Sequence, residues 1–221
     1  MDTVHALILA GLWLAYFVLH SLLASVTVKQ WVARRHPSLM PGYRLAFNSL
    51  ALIMVCLPVW YLFTHQTDYL WQWQGLLAWL MNGLAVFALL LFIWSLSFYD
   101  TSEFLGTRQL RMGSTDVHDQ ETLYLSPLHC FVRHPWYTLA LVIIWTRNMD
   151  LMMLVSAVAM TLYFKIGSML EEKKLLAYHG QVYARYRKMV PGLLPLPWRY
   201  LTKRQVRELH IEYHTSKGQS I

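Results

Sequence analysis

Four stretches of this chain are long and apolar enough to cross a lipid bilayer: Val4 to Ala24, Leu45 to Phe63, Leu76 to Phe98 and Leu151 to Leu170. Each reaches or approaches the roughly 20 residues that a helix needs to cross a hydrocarbon core of about 30 Å. They predict an all-α, polytopic membrane bundle. Composition agrees, because only 14% of the 221 residues are charged and 56% are hydrophobic, whereas a soluble domain carries about a quarter charged residues. The first stretch is not a convincing signal peptide: no Lys or Arg precedes it, and it is too long for the usual apolar region of one.

A fifth apolar segment, Pro135 to Trp145, is too short to span alone. Its eleven residues make a helix of about 16 Å, half a bilayer. The polar flank Thr146 to Asp150 leads directly into the last long stretch, so the simplest reading is a helical hairpin whose first arm begins at mid-membrane depth. That gives five membrane segments. The net charge of +7 is uneven: Lys29, Arg34, Arg35 and Arg44 cluster after the first span, Arg108, Arg111 and Arg133 lie in the loop from Tyr99 to Arg133, and ten Lys or Arg follow Glu172. The 65–74 loop has none, and the 146–150 turn has only Arg147. The positive-inside rule then places the N-terminus outside and the C-terminus in the cytoplasm. This distribution argues against a nucleic-acid partner, since cytoplasmic loops of membrane proteins are basic in any case.

Residues 1–127 read as transmembrane helices with a cytoplasmic loop, 128–197 as a hairpin with a cytoplasmic segment, and 198–221 as a basic tail. The loop from Tyr99 to Val132 is long and polar, hence functional or mobile. The last span is expected to run to His179 and to end at a left-handed Gly180. In the tail, Thr202 to His214 reads as an amphipathic helix with a Thr202–Gln205 capping box and a narrow stripe of Val206, Leu209 and Tyr213. Two readings of it stand: it lies on an anionic leaflet, or it packs on the protein itself. Two cysteines exclude a disulfide framework; Cys56 reads as a buried thiol, and Cys130 lies three residues before Arg133. Only His210 and His214 have the i,i+4 spacing of metal ligands, on a surface helix, so no metal site is expected. No Rossmann, Walker or nucleophile-elbow motif is present.

The informative constellation is Arg133-His134-Pro135-Trp136-Tyr137 followed by Glu171-Glu172. Pro135 suits the first turn of a helix and keeps His134 extended. Arg133 and His134 therefore sit beside unpaired amides at a helix N-terminus, where carboxylate or phosphate oxygens bind readily. Against this stands a plainer reading, in which Arg133 reaches headgroups, His134 caps the helix, and the acidic pair is a solvated face. A tight turn near Asn148 would set His134 level with Leu162, about 13 Å from Glu171. The groove between them, floored by Tyr163, Gly167 and Glu171, could hold a small extended cofactor. Lys165, inside the span, needs a partner or a path to the interface, and Glu172 lies two turns away.

Arg133-His134-Pro135-x-Tyr137, Glu171-Glu172, Gly180-x-x-Tyr183-x-x-Tyr186 and Val190-Pro191 together resemble the isoprenylcysteine carboxyl methyltransferase superfamily of membrane methyltransferases. His20 to Ser25, Tyr43-Arg44-Leu45-x-Phe47-Asn48 and Phe104-Leu105-Gly106-x-Arg108-Gln109-Leu110 resemble its nurim-like branch, to which methanethiol S-methyltransferases belong. Thr146-Arg147-Asn148 and Lys165 depart from that pattern. The resemblance implies S-adenosylmethionine as cofactor, with His134, Pro135, Tyr137, Glu171 and Glu172 lining its pocket and Tyr183 and Tyr186 closing it. It assigns Arg133 and His134 to catalysis and Arg108, Gln109 and Arg133 to a small or lipophilic acceptor, a thiol before others. It also implies an integral membrane enzyme, of bacterial inner-membrane type, with a cytoplasmic active site. The alternatives are carboxylate or lipid-amine methylation, a non-catalytic nurim-like protein and, more distantly, a sterol-reductase-like enzyme.

Overall fold

The computed structural model describes residues 1–114 and 123–216; the middle of the Tyr99–Val132 loop and the end of the tail lie outside the described residues. Helix α1 covers Asp2–Ala24, and Ser25 then caps α2, Val26–Arg35, by accepting from the Val28 amide at 3.3 Å. A short 3-10 turn leads into α3, Met40–Thr64, and strand β1, Tyr69–Trp71, precedes α4, Gly75–Leu96. Two short helices follow, α5 at Thr101–Leu105 and α6 at Thr107–Met112. Beyond them come α7, Pro135–Trp145, strand β2, Met149–Asp150, the long α8, Leu151–Met189, and α9, Lys203–Ser216. Helices α1, α3, α4 and α8 are long and apolar enough to cross a membrane. Their large side chains lie open, Leu7, Ile53, Phe87 and Leu162 among them, as lipid-facing residues should. The protein is thus an integral membrane protein built on helices.

The described chain forms two compact units. The first comprises 1–79, 96–114 and 147–159. Its contacts explain the sequence blocks that flank the spans. The Tyr43 hydroxyl donates to the Leu23 carbonyl at 2.6 Å, tying α3 to the end of α1. Asn48 donates to the carbonyls of Phe104 at 3.0 Å and Leu105 at 3.2 Å. Gly106 then has to be glycine: its φ is 90°, and a Cβ there would stand 2.7 Å from the Leu45 amide nitrogen. The expected long loop therefore starts as two capped helical turns pressed on α3, with Asp100 accepting from the Ser102 amide at 2.9 Å.

The second unit comprises 80–95, 123–146 and 160–216. Helix α7 is anchored at both ends. The Trp136 indole donates to Ser95 Oγ at 2.8 Å, and Trp145 donates to Thr161 Oγ1 at 3.0 Å. The tail packs on the protein. Leu209 and Tyr213 close a core with Val182, Tyr183, Tyr186, Val190 and Leu201, and Arg185 clamps Glu212 at 2.9 Å. The capping box forms in both directions, the Thr202 amide donating to Gln205 Oε1 at 2.8 Å and the Gln205 amide to Thr202 Oγ1 at 3.4 Å.

One expectation is refined and one is corrected. The regular helix from Leu151 does break at Gly180, which takes φ 55°, ψ −131°, but a second helical stretch follows to Met189, so the glycine is a kink between two helices as well as the end of the first. The hairpin turn, however, is not tight. Beyond α7 a turn at Thr146 and a bend at Arg147 lead into β2, where Tyr69 pairs with Asp150 and Trp71 with Met149. Trp73 supplies further bonds, its amide to Asn148 Oδ1 at 3.0 Å and its indole to the Arg147 carbonyl at 3.2 Å. Backbone that leaves a helix at membrane depth needs such partners. His134 lies about 16 Å of helix from Trp145, and it meets Glu171, about 30 Å along α8 from Leu151, so the connection offsets α7 along α8 by about 13 Å relative to a tight turn.

Candidate functional site

That displacement decides the site. His134 does not sit opposite Leu162; it meets the acidic pair directly. His134 Nδ1 lies 3.3 Å from Glu171 Oε2, and Nε2 lies 3.2 Å from Glu172 Oε1. No 13 Å groove separates them. Glu171 lies twenty residues along α8 from Leu151, about 30 Å of helix and the thickness of a hydrocarbon core. The cluster accordingly belongs at an interface, and α7 starts there instead of at mid-depth.

Pro135 is the first residue of α7, and His134, outside the helix at φ −124°, is the residue that turns towards α8. Thr138, one turn on, donates to the His134 carbonyl at 3.1 Å and to the Leu193 carbonyl at 2.6 Å. The Arg133 and His134 amides donate to the Gly192 carbonyl at 3.1 and 3.2 Å. The segment between α8 and α9 thus holds the motif by its backbone. A Cβ on Gly192 would come 3.4 Å from Arg133 Nη2 and 3.9 Å from Glu172 Oε1, ordinary contact distances, so Gly192 lies directly against that ion pair.

Arg133 is held by four hydrogen bonds. Its Nη2 donates to Glu172 Oε1 at 2.6 Å and its Nε to the same oxygen at 2.9 Å. Its Nη1 donates to the carbonyls of Arg187 and Val190. Charge-assisted bonds of this kind are about twice as strong as neutral ones. Glu172 also has Arg187 at 4.0 Å. Glu171 differs: its side chain is about half exposed, and besides His134 it takes a bond from the Tyr137 hydroxyl at 3.2 Å. Tyr137 stacks on His134, ring centroids 5.5 Å apart, and on Phe164 at 4.8 Å.

Each nitrogen of His134 faces a carboxylate. Burial opposes its charged form, but the hydrogen bonds and negative charges of Glu171 and Glu172 outweigh burial and hold its pKa above the ordinary value. An imidazole so placed keeps its proton and positions both carboxylates. Nearby His129 goes the other way. Burial, and then the charge of His134, push it down to about 4, so it stays neutral, bonded to Ser126 Oγ at 2.8 Å. Cys130 is held as a thiol by burial.

Tyr183 and Tyr186 are buried about one and two turns beyond Gly180. The Tyr186 hydroxyl donates to the His129 carbonyl at 2.8 Å, a strut between α8 and the segment before α7. The Tyr183 hydroxyl is buried with no hydrogen-bond partner among the described residues, and the charges that act on it most are Glu172 and Arg133. A hydroxyl left this way is costly unless a ligand completes it. Arg108 and Gln109 belong to the other unit, where Arg108 pairs with Asp100 at 3.3 Å and Glu103 at 3.4 Å, and Gln109 donates to the Glu103 carbonyl at 3.2 Å. Lys165 is exposed on α8, and Glu172 is engaged by Arg133 and His134 instead. Sequence reading missed Gly192, Arg187 and Ser95. Gly192 follows the Val190-Pro191 block directly, and that adjacency was the available signal. Among the described residues no group of His, Cys, Asp or Glu could hold a metal ion.

Bilayer-length helices with a preformed ionic cluster at the far end of the last define a polytopic membrane protein with a built site. The chain is 29% identical over 203 residues to a methanethiol S-methyltransferase of Crocosphaera subtropica, covering 86% of this chain and 74% of that protein. It is 30% identical over 191 residues to that of Pseudomonas deceptionensis (81% and 69%) and 31% identical over 189 residues to that of another Pseudomonas (80% and 68%). The chain belongs to the methanethiol S-methyltransferase family and is a membrane methyltransferase. No family model matches it, and no solved structure does.

Proposed function

We propose that this enzyme moves a methyl group from S-adenosylmethionine to a small or lipophilic thiol, with the cluster around Glu171 and Glu172 as the cofactor end of its site. One observation carries the reading: a fixed set of donors and acceptors is incomplete at two points. Glu171 accepts two bonds among the described residues where a carboxylate has about four sites, and Tyr183 offers a buried hydroxyl that no described residue takes. S-Adenosylmethionine fits this chemistry, having an ammonium group and a sulfonium for the carboxylate and oxygens for the hydroxyl. When bound, it supplies a methyl group on a positive sulfur that a nucleophile can displace in line.

The residues' own work is placement. Arg133 binds Glu172 to the Val190–Gly192 segment, His134 holds Glu171 and Glu172 apart at fixed distance, and Tyr137 packs over His134. Pro135 sets the start of α7, and Tyr186 braces the floor on which Tyr183 stands. Around the acceptor, Arg133, Arg187 and protonated His134 outnumber two carboxylates, and a positive surplus favours a thiolate over a thiol. The thiol proton leaves to water, the thiolate sulfur forms the new bond to carbon as the old carbon–sulfur bond breaks, and the products are a methyl thioether and S-adenosylhomocysteine. Fixing two reactants in line and excluding water is what such a reaction needs from a protein. The basic interface segments support a cytoplasmic site in a bacterial inner membrane, and the relatives, named for methanethiol, support a thiol.

Calorimetric titration of the detergent-purified protein with S-adenosylhomocysteine tests the reading. Saturable binding is expected, weakened at least about tenfold by Glu171→Ala or His134→Ala, since one charge-assisted bond is worth about 1.5–3 kcal/mol. Folded protein that binds nothing would refute it. Headspace detection of dimethyl sulfide from methanethiol then reads the acceptor, and product from a carboxylate or amine instead would redirect it.

A further inference from the structure

Beside the ionic cluster, on another face of α7, lies a cavity of about 410 Å³. Leu91 of α4, Leu128 and Leu139 form its walls, and Val132 and Pro135, the residues that bracket Arg133 and His134, lie in its lining. Thr138 is the one hydroxyl in the wall, and it is spent on the His134 and Leu193 carbonyls. An occupant therefore finds no hydrogen bond here. Trp94 and Phe131, also in the lining, keep large exposed surfaces, so the cavity opens among apolar side chains instead of into a ring of polar ones.

The space is larger than methanethiol needs, and its lining is apolar. Cavities of about 300–1,000 Å³ hold drug-sized ligands, and a molecule of two heavy atoms would leave most of this space unfilled. We infer that the cavity takes the hydrocarbon chain of the acceptor, and that the preferred substrate is an alkyl thiol of several carbons drawn from the lipid phase, its sulfur presented next to the Arg133–His134 segment. This rests on the thiol methyltransferase reading above and narrows it. A thiol with a long chain concentrates in the bilayer, and an apolar mouth among lipid-facing helices lets it enter without passing through water. The bond change is the one already written, the alkyl thiolate sulfur taking the methyl group and its proton going to water.

Kinetics of the whole protein in lipid nanodiscs decide the point, with S-adenosylmethionine and methanethiol, 1-butanethiol or 1-octanethiol as acceptors. With acceptors compared at equal concentration in the bilayer, so that their partition from water cancels, kcat/KM for octanethiol should exceed that for methanethiol at least about tenfold. Leu139→Trp and, from the facing wall, Leu91→Trp fill the cavity; each should cut the octanethiol-to-methanethiol ratio at least fivefold. The ratio is internal to each variant, so partial unfolding does not imitate the effect, and two walls guard against one variant failing to fold. A flat chain-length profile in the parent, or a ratio unmoved by both fillings, overturns the inference and leaves the cavity to a bilayer lipid. Absence of S-adenosylhomocysteine binding in folded protein overturns the methyltransferase reading, and this inference with it.

Discussion

The two units of the molecule close themselves by different chemistry. In the first, the fixing contacts are mostly neutral and run from side chain to backbone: Tyr43 to Leu23, Asn48 to Phe104 and Leu105, Asp150 to the Thr67 and Met153 amides at 3.0 and 2.7 Å. Its described ion pairs, Arg108 with Asp100 and Glu103, are half exposed, and exposed pairs contribute little. In the second, formal charges meet where they are largely out of water, as Arg133, His134 and Glu172 do. Helix ends and loops need bonds of the first kind merely to fold. Buried charge is not needed for that, because well-packed apolar groups hold a fold as well or better. On the proposed function, the difference marks the first unit as framework and the second as the place where stability is given up for chemistry.

Glu172→Ala puts the largest strain on that contrast. It strips Arg133 of its carboxylate and His134 of one acceptor, so S-adenosylhomocysteine affinity should fall at least about 100-fold and stability by about 2–3 kcal/mol. Asp150→Ala, in the first unit, removes the α8 cap at a cost of about 1–2 kcal/mol and should leave affinity within about twofold. Calorimetry and thermal unfolding in detergent read both. Equal losses of affinity in the two variants would erase the distinction between framework and site.

Acidity separates the second unit's two histidines. His129, lowered to about 4, refuses a proton that the unfolded chain takes from about pH 6.5 downwards. Stability should therefore fall between pH 6.5 and about 4, by an amount of order 3 kcal/mol. His134 is raised, so its contribution is complete below pH 6.5 and is lost as pH rises through its folded-state pKa. The unfolding midpoint should peak near pH 6.5. His129→Asn should flatten the acid limb and His134→Asn the alkaline one. A single profile unaffected by either change would show that neither site titrates as its neighbours require.

Much of this was legible beforehand, and the exceptions share one cause. Four spans were visible because bilayer thickness fixes helix length, and the Thr202–Gln205 cap was visible because both partners lie within one turn. Arg133-His134-Pro135 and Glu171-Glu172 were recognisable as a set, and the structure does bring them together. What sequence could not supply was register. Whether 146–150 turns or extends depends on the 65–74 loop pairing with it, a contact some 80 positions away, and that choice moves His134 by half a bilayer. The role of Gly180 was hidden for a similar reason. A positive φ suits a cap and a kink equally, and only packing of the following turns under α9 decides between them.

The glycines give the next pair. Gly180→Ala forces a side chain into a conformation that is essentially glycine's alone, for about 1–3 kcal/mol. Among the described residues, nothing beyond its chain neighbours and its own helix backbone lies within 4 Å of the added Cβ, so the cost is conformational. Because the kink sets Tyr183 against the carboxylates, affinity should fall together with stability. Gly106→Ala drives a Cβ onto the Leu45 amide and should destabilise at least as much without touching affinity. Loss of affinity in Gly106→Ala at temperatures where it is folded would mean that framework and site are one.

Thr202→Ala is the mildest test and divides the second unit itself. It removes one half of a reciprocal cap, about 1 kcal/mol, from a helix whose Leu209 and Tyr213 roof the core around Tyr183. If α9 is only a roof, the variant should be cut faster by trypsin at Lys203 and Arg204, while S-adenosylhomocysteine binds as before. If affinity falls with the cap, the roof is holding Tyr183 in place for the ligand, and the boundary between scaffold and site has to be drawn beyond α8, through the tail.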